Sequence, residues 1–106
     1  MRVVLTAEAE ADLEAIGDFI AADNPARAVT FVGELVSCCA RIAEAPQACP
    51  LVPRYEQTGI RRRVFGRYLI FYRASESAGC IDVLHILNGA RDYETILFTD
   101  GGTPPA

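Results

Sequence analysis

Arginine and tyrosine side chains that could act on a phosphate group are concentrated in residues 59–92, among β-branched and aromatic residues. A general base beside arginines that stabilise a pentavalent phosphorane is sufficient for RNA cleavage without a metal. The same groups would equally suit a solvated basic sheet face or a docking surface without catalysis, and all three interpretations stay open at this point. The groups concerned are Arg61, Arg63, Arg73 and Arg91, with Tyr68, Tyr72 or Tyr93.

Other catalytic signatures are weak. The one histidine, His85, alternates with Val83 and Leu87, which favours a half-buried structural side chain over a catalytic base. The sequence has no nucleophile elbow, no phosphate-binding glycine loop and no dinucleotide-binding fingerprint. We therefore predict no catalytic residue, no metal and no cofactor. The cysteines lack the spacing of zinc ligands and are interpreted as buried free thiols; they are Cys38, Cys39, Cys49 and Cys80.

Length and charge restrict the class of protein. A chain of 106 residues, 51% of them hydrophobic, fits one domain with one core. The net charge is −4, yet residues 54–73 hold six arginines against one acid, whereas the remainder holds four arginines and thirteen acids. This asymmetry favours oriented, charge-complementary partners over DNA binding by this chain alone. Without a signal peptide or an apolar run of membrane-spanning length, we expect a cytoplasmic protein.

Hydrophobic periodicity and capping residues define the elements that position these groups. Thr6 is a suitable N-cap for a first helix, and Asn24 followed by Pro25 ends that helix and begins a second. Helices joined by so short a link pack as an antiparallel hairpin. The predicted strands and helices are residues 2–5, 7–22, 25–45, 60–65, 68–74, 80–87 and 91–97.

The faces of the first helix follow from its spacing. Its apolar stripe contains Leu13, Ile16 and Ile20, joined by Ala9 and Phe19. The acids on its other side predict a solvated acidic face, and they are Glu8, Asp12, Glu14 and Asp18.

The element order predicts an α+β fold, β-α-α-β-β-β-α, with an antiparallel-dominated small sheet packed on the helical hairpin. Residues 1–98 form the single predicted domain, and residues 99–106 form a predicted disordered tail.

Strand alternation predicts which side chains share a face of the sheet. In the strand at residues 60–65 it places Ile60, Arg62 and Val64 on one face and Arg61, Arg63 and Phe65 on the other. In the last strand it separates Ile81, Val83, His85 and Leu87 from Asp82, Leu84, Ile86 and Asn88.

Several short segments in this order are typical of one protein family. They are Leu5-Thr6, Ala9, Asp12-Leu13, Ile16, Asn24-Pro25, Ala28, Phe31, Pro46, residues 67–73 and residues 86–92. Together they resemble the toxins of bacterial type II toxin–antitoxin modules, specifically the ParE branch of the RelE/ParE superfamily. The resemblance extends from about Val4 to Leu97, and residues 86–92 are similar to the family's hydrophobic-hydrophobic-His-Gly-Ala-Arg-Asp ending.

Two departures from the family patterns favour the ParE branch. Asn88 stands where many relatives have histidine, and the chain has no lysine to match the lysine-rich cluster of RelE-type nucleases. The resemblance then implies a stoichiometric inhibitor that poisons DNA gyrase and is not an enzyme. The alternatives are a ribosome-dependent mRNA endoribonuclease of RelE type and a domesticated module that only binds a regulator.

The resemblance also implies a partner, an antitoxin of ParD type, in a hetero-oligomer. A flexible antitoxin tail would fold onto the hairpin and the sheet, with its acids paired to arginines and its apolar residues in a groove. The residues predicted to bind the antitoxin or the target are Arg61, Arg63, Arg67, Tyr72, Arg73, Arg91 and Asp92.

Overall fold

The computed structural model describes residues 1–98, and the tail predicted to be disordered lies outside the described residues. The element order confirms the predicted β-α-α-β-β-β-α arrangement. The second helix ends at Arg41, earlier than predicted, and the residues that follow it form a 3-10 turn at Ile42–Glu44. The elements are β1 (Arg2–Leu5), α1 (Ala7–Ala21), α2 (Pro25–Arg41), β2 (Arg61–Phe65), β3 (Tyr68–Ser75), β4 (Cys80–Asn88) and α3 (Tyr93–Phe98).

Side-chain caps fix the start of both long helices. Thr6 Oγ1 accepts a hydrogen bond from the backbone N–H of Ala9 at 3.2 Å. Asn24 Oδ1 accepts one from the N–H of Arg27 at 3.0 Å, with Pro25 in the first turn. Each cap satisfies an N–H that has no partner within the helix, which is why these two positions determine where the helices begin.

The sheet has the strand order β1-β4-β3-β2. Strand β1 is parallel to β4, and the other two pairings are antiparallel. The loop before β2 covers only the beginning of that edge strand, because Arg62 N donates to Pro50 O at 3.0 Å and Val52 N donates to Ile60 O at 2.9 Å. Further along the same edge, Val64 is 67% exposed.

A β-bulge in β4 overturns the uninterrupted alternation predicted for that strand. Phe71 pairs with His85, but the next residue, Tyr72, pairs with Val83, so Leu84 has no residue opposite it. One extra residue in a strand moves each side chain that follows it to the opposite face of the sheet. Ile86 therefore joins Val83 beneath the helices, whereas Leu87 faces the other side of the sheet.

Both faces of the sheet are covered. The hairpin face buries Leu13, Ile16, Leu35 and Ile42 against Ile70, Tyr72, Ile81, Val83 and Ile86. On the opposite face, α3 and the loop that precedes β2 enclose a second cluster, where the rings of Tyr55 and Phe98 stack 3.8 Å apart. The arginine-bearing strands therefore lie between two apolar layers, and this determines which of their side chains reach solvent.

Candidate binding surfaces

The histidine forms part of the contact between α1 and β4. His85 Nδ1 lies 2.8 Å from Asp12 Oδ2, and the same oxygen accepts a hydrogen bond from the N–H of Ile86 at 2.9 Å. Strand β1 ends at Leu5, so among residues 1–98 no strand lies beside the edge of β4 beyond Val83, and the carboxylate of Asp12 takes that place. Asp12 is therefore half-buried and not part of a solvated acidic face. His85 is half-buried as predicted, although the bulge breaks the alternation with Val83 and Leu87 on which that prediction rested.

Removing the Asp12 carboxylate should loosen this contact. We expect Asp12→Ala to lower the free energy of unfolding by about 1–3 kcal/mol, because a half-buried N–H and an imidazole lose their acceptor. Urea unfolding measures the change, with Glu14→Ala, an exposed acid on the same helix, as the matched control. Equal stabilities of the two variants would contradict the role assigned to Asp12.

The predicted binding arginines do not converge on one site. Arg61 Nη1 donates to the carbonyl of Cys49 at 2.7 Å, and Arg63 Nε donates to Cys38 Sγ at 3.0 Å, so both lie on the hairpin face. Arg73 is exposed on the opposite face, where its Nη1 lies 3.4 Å from the carbonyl oxygen of Thr58. The alternation predicted for β2 holds, because no bulge interrupts that strand.

Two further residues that were predicted to bind a partner, Tyr72 and Asp92, form hydrogen bonds within the fold. Tyr72 is fully buried, and its hydroxyl donates to Pro46 O at 2.7 Å. Asp92 is exposed and caps α3 by accepting hydrogen bonds from Thr95 Oγ1 at 2.6 Å and from Thr95 N at 3.3 Å. These two bonds lower the pKa of the Asp92 carboxyl.

Burial of Tyr72 and Cys39 makes the fold sensitive to alkali. Burial raises the pKa of Tyr72 to about 12 and that of Cys39 to about 11, from ordinary values of 10.0 and 9.0. Both folded-state values are raised, so the stabilising contribution is complete below the ordinary pKa and is lost as the pH rises through the folded-state pKa. The affected window is pH 9 to 12.

A tyrosine variant tests this alkaline sensitivity. We expect Tyr72→Phe to cost about 1 kcal/mol at pH 7, through loss of the hydrogen bond to Pro46. Above the ordinary pKa of tyrosine, its free energy of unfolding should fall less steeply than that of the wild type. Urea unfolding at pH 7, 10 and 11.5 measures both effects, and parallel pH curves for the two proteins would contradict the assignment.

Two exposed arginines lie at the end of the sheet near Asn88. Gly66, at φ +58°, forms the β2–β3 turn, and the N–H of Gly89 donates to Arg67 O at 2.8 Å, which joins this turn to the segment after β4. Arg67 and Arg91 are exposed. Beside them is an open cleft of about 270 Å³ lined by Asp12, Ile16, Phe19, Tyr68, Asn88 and Arg91. Of the arginines within residues 1–98, Arg91 alone lines this cleft.

Exposed apolar side chains mark a second surface, the outer groove of the helical hairpin. This hairpin groove has a volume of about 380 Å³ and is lined by Leu13, Glu14, Gly17, Asp18, Ala28, Val29 and Val32. A Cβ at position 17 would lie 3.3 Å from Val32 Cγ2, so glycine permits the close approach of the helices here. Val29 is 75% exposed in this groove. Phe19, predicted to belong to the core stripe of α1, is instead 78% exposed and lines the cleft at the sheet end. Large exposed apolar groups of this kind indicate an interaction site.

The comparisons with known proteins agree with the fold. Within residues 1–98, no helix combines the length and apolarity needed to cross a bilayer. A search of curated proteins found no match. Among solved structures, the fold is similar to a chain from the chromosomal ParDE toxin–antitoxin system of P. aeruginosa, with a TM-score of 0.70 and 23% identity over 83% of this chain and 95% of that one. Residues 3–93 match the family described as the ParE toxin of the type II toxin–antitoxin system parDE, and the chain therefore belongs to the ParE toxin family.

Proposed function

We propose that this ParE-type toxin arrests growth by binding DNA gyrase stoichiometrically, in the cytoplasm, and that a ParD-type antitoxin neutralises it by direct contact. The proposal rests on one observation: the side chains that a nuclease would need for catalysis are held in contacts that stabilise the fold. Tyr72 is buried, His85 is bonded to Asp12, and Arg61 and Arg63 are held by the loop and by α2. A turnover site needs a base and cations around one substrate, and this distribution supports binding over turnover.

The hairpin groove is the surface that best suits the antitoxin. It combines the exposed Val29 and the half-buried Val32 of α2 with Leu13 at the floor from α1, and an amphipathic or extended segment of a partner would cover them. Val64 is 67% exposed and lies on β2 within the arginine-rich segment of residues 54–73, where acids of the antitoxin would find opposite charges. Of the arginines predicted to bind it, Arg67 and Arg73 are exposed and are the candidate partners of those acids, whereas Arg61 and Arg63 are held in the contacts described above.

The sheet end at Asn88 is the surface we assign to gyrase. Within residues 1–98, the guanidinium groups of Arg67 and Arg91 make no side-chain hydrogen bond or ion pair. They are therefore available to a partner, and arginine beside exposed aromatic surface is typical of residues that dominate binding energies. Phe19 supplies such a surface, and Asp92 lies next to Arg91 in the sequence.

Expression of the toxin alone in growing bacteria tests the proposal. We expect growth arrest with accumulation of gyrase-linked cleaved DNA, and rescue when the antitoxin is co-expressed and co-purifies with the toxin. Primer extension on translated messages tests the endoribonuclease alternative in the same cells. New message ends without trapped gyrase would contradict the proposal, and normal growth would indicate a module that only binds a regulator.

A further inference from the structure

Three hydrogen-bond donors line the cleft at the sheet end. Tyr68 and Asn88 are opposite each other in the β3–β4 pairing, so their side chains lie on the same face of the sheet. Arg91 N donates to Asn88 O at 3.0 Å, and this turn brings Arg91 beside them. The side-chain oxygen of Asn88 already accepts from Ala90 N at 2.9 Å, which fixes the orientation of the amide.

These donors are accessible to a partner. In the part of the chain that the structure describes, the Tyr68 hydroxyl, the Asn88 amide nitrogen and the Arg91 guanidinium donate no hydrogen bond. Arg91 is exposed, and the other two residues are half-buried. One cation beside two neutral donors suits an anionic acceptor, because hydrogen bonds to an ionised acceptor are the strong ones.

The rest of the cleft is apolar except for one carboxylate. Ile16 and Ile86 are buried at its floor, and Phe19, which also lines it, is 78% exposed. The carboxylate of Asp12 already accepts from Ile86 N at 2.9 Å and lies 2.8 Å from His85 Nδ1. It contacts β4 two residues before the position that carries the amide donor, or about 7 Å along the strand. An anion in the cleft would therefore bind at the donors, away from Asp12.

Size and polarity together indicate the class of ligand. A volume of about 270 Å³ lies below the roughly 300–1,000 Å³ of most small-molecule sites. It suits one or two side chains of another protein, which insert as anchors into such clefts. The donors require an acidic side chain, and the apolar floor requires a large apolar side chain next to it.

We propose that the cleft receives a segment of gyrase in which an acidic residue lies next to a large apolar one, which rests on the proposed contact between gyrase and the sheet end. The carboxylate of that segment accepts hydrogen bonds from Arg91, Asn88 and Tyr68. Its apolar neighbour covers Ile16 and packs against Phe19. The cleft thus selects the gyrase segment by charge and by shape.

Two variants of the intact toxin test whether the cleft is occupied in this way, with supercoiling by purified gyrase as the measurement. Ala15 is exposed and lines the cleft, so Ala15→Phe should fill it and raise the half-inhibition concentration about 30-fold or more. Tyr68→Phe removes only a hydroxyl and should raise it about tenfold. Ala40→Phe, at an exposed position of α2 outside the cleft lining, should leave it unchanged.

Cross-linking identifies the gyrase segment and tests its carboxylate. A benzophenone amino acid in place of Phe19 should cross-link to a gyrase peptide that contains adjacent acidic and large apolar residues. Changing that acid to its amide should weaken inhibition as much as Arg91→Gln does, and the two changes together should weaken it no further.

Three results would overturn this assignment of the cleft while leaving gyrase as the target. They are wild-type inhibition by both Ala15→Phe and Tyr68→Phe, a cross-linked peptide without an acid, and losses that multiply when Arg91→Gln is combined with the gyrase variant. Absence of inhibition by the wild-type toxin would instead overturn the proposed function, and this assignment with it.

Discussion

Replacing Val29 by aspartate should reduce the affinity of the toxin for a ParD-type antitoxin by about 100-fold or more. An apolar side chain of the antitoxin that packs in the hairpin groove would meet a carboxylate that has to lose water without gaining a partner. A penalty of about 3 kcal/mol corresponds to that change in the dissociation constant. The toxin itself should keep its fold, because Val29 is 75% exposed.

Titration calorimetry with the antitoxin measures this effect. Ala78→Asp is a matched control, since it adds the same charge at an exposed position in the turn between β3 and β4, away from the hairpin. We expect wild-type affinity for that variant. If Val29→Asp binds as tightly as Ala78→Asp, the hairpin groove is not where the antitoxin docks.

Charge reversal at the sheet end should remove the inhibition of gyrase. In the double variant Arg67→Glu/Arg91→Glu, two cations that we assign to the interface become acids. Truncating a single buried charged contact at a protein interface commonly costs about 2–5 kcal/mol, and reversal adds repulsion. We therefore expect the concentration for half-inhibition to rise by about 100-fold or more.

The control for this variant is Arg2→Glu, at an exposed arginine on β1. Circular dichroism and urea unfolding should show that both proteins are folded. An unchanged half-inhibition concentration in the double variant would place the gyrase contact elsewhere on the toxin. A loss of inhibition in Arg2→Glu as well would indicate a general charge effect.

The sequence predicts the elements well where local chemistry decides them. Thr6 and Asn24 cap the helices because their side chains satisfy nearby N–H groups, and this depends only on neighbours in the chain. The sheet face of each side chain in β2 was predicted correctly for the same reason, since successive side chains of an unbroken strand lie on alternate faces. Strand β4 was predicted wrongly after Val83, because a bulge depends on how two strands pair and leaves no signature in the spacing of β4 alone.

The binding surfaces were harder to predict, because residue type indicates possible chemistry but not exposure. Tyr72 has the hydroxyl of a candidate ligand-binding residue, yet the fold uses it to hold Pro46 beneath the hairpin. One face of α1 carries Asp12, Ile16 and Phe19 at spacings i, i+4 and i+7, and all three line the cleft at the sheet end. That spacing was visible in the sequence. What it could not show is that β1 ends early, which leaves a strand edge for Asp12 to bind.

The titration of purified gyrase with wild-type toxin tests the central claim most directly. DNA supercoiling is measured at fixed gyrase concentration while the toxin is increased from below to far above an equal molar amount. A stoichiometric inhibitor predicts loss of supercoiling, with trapped cleaved DNA, near a molar ratio of about one, and recovery when an equal amount of antitoxin is added first. Full supercoiling at large toxin excess would contradict the account.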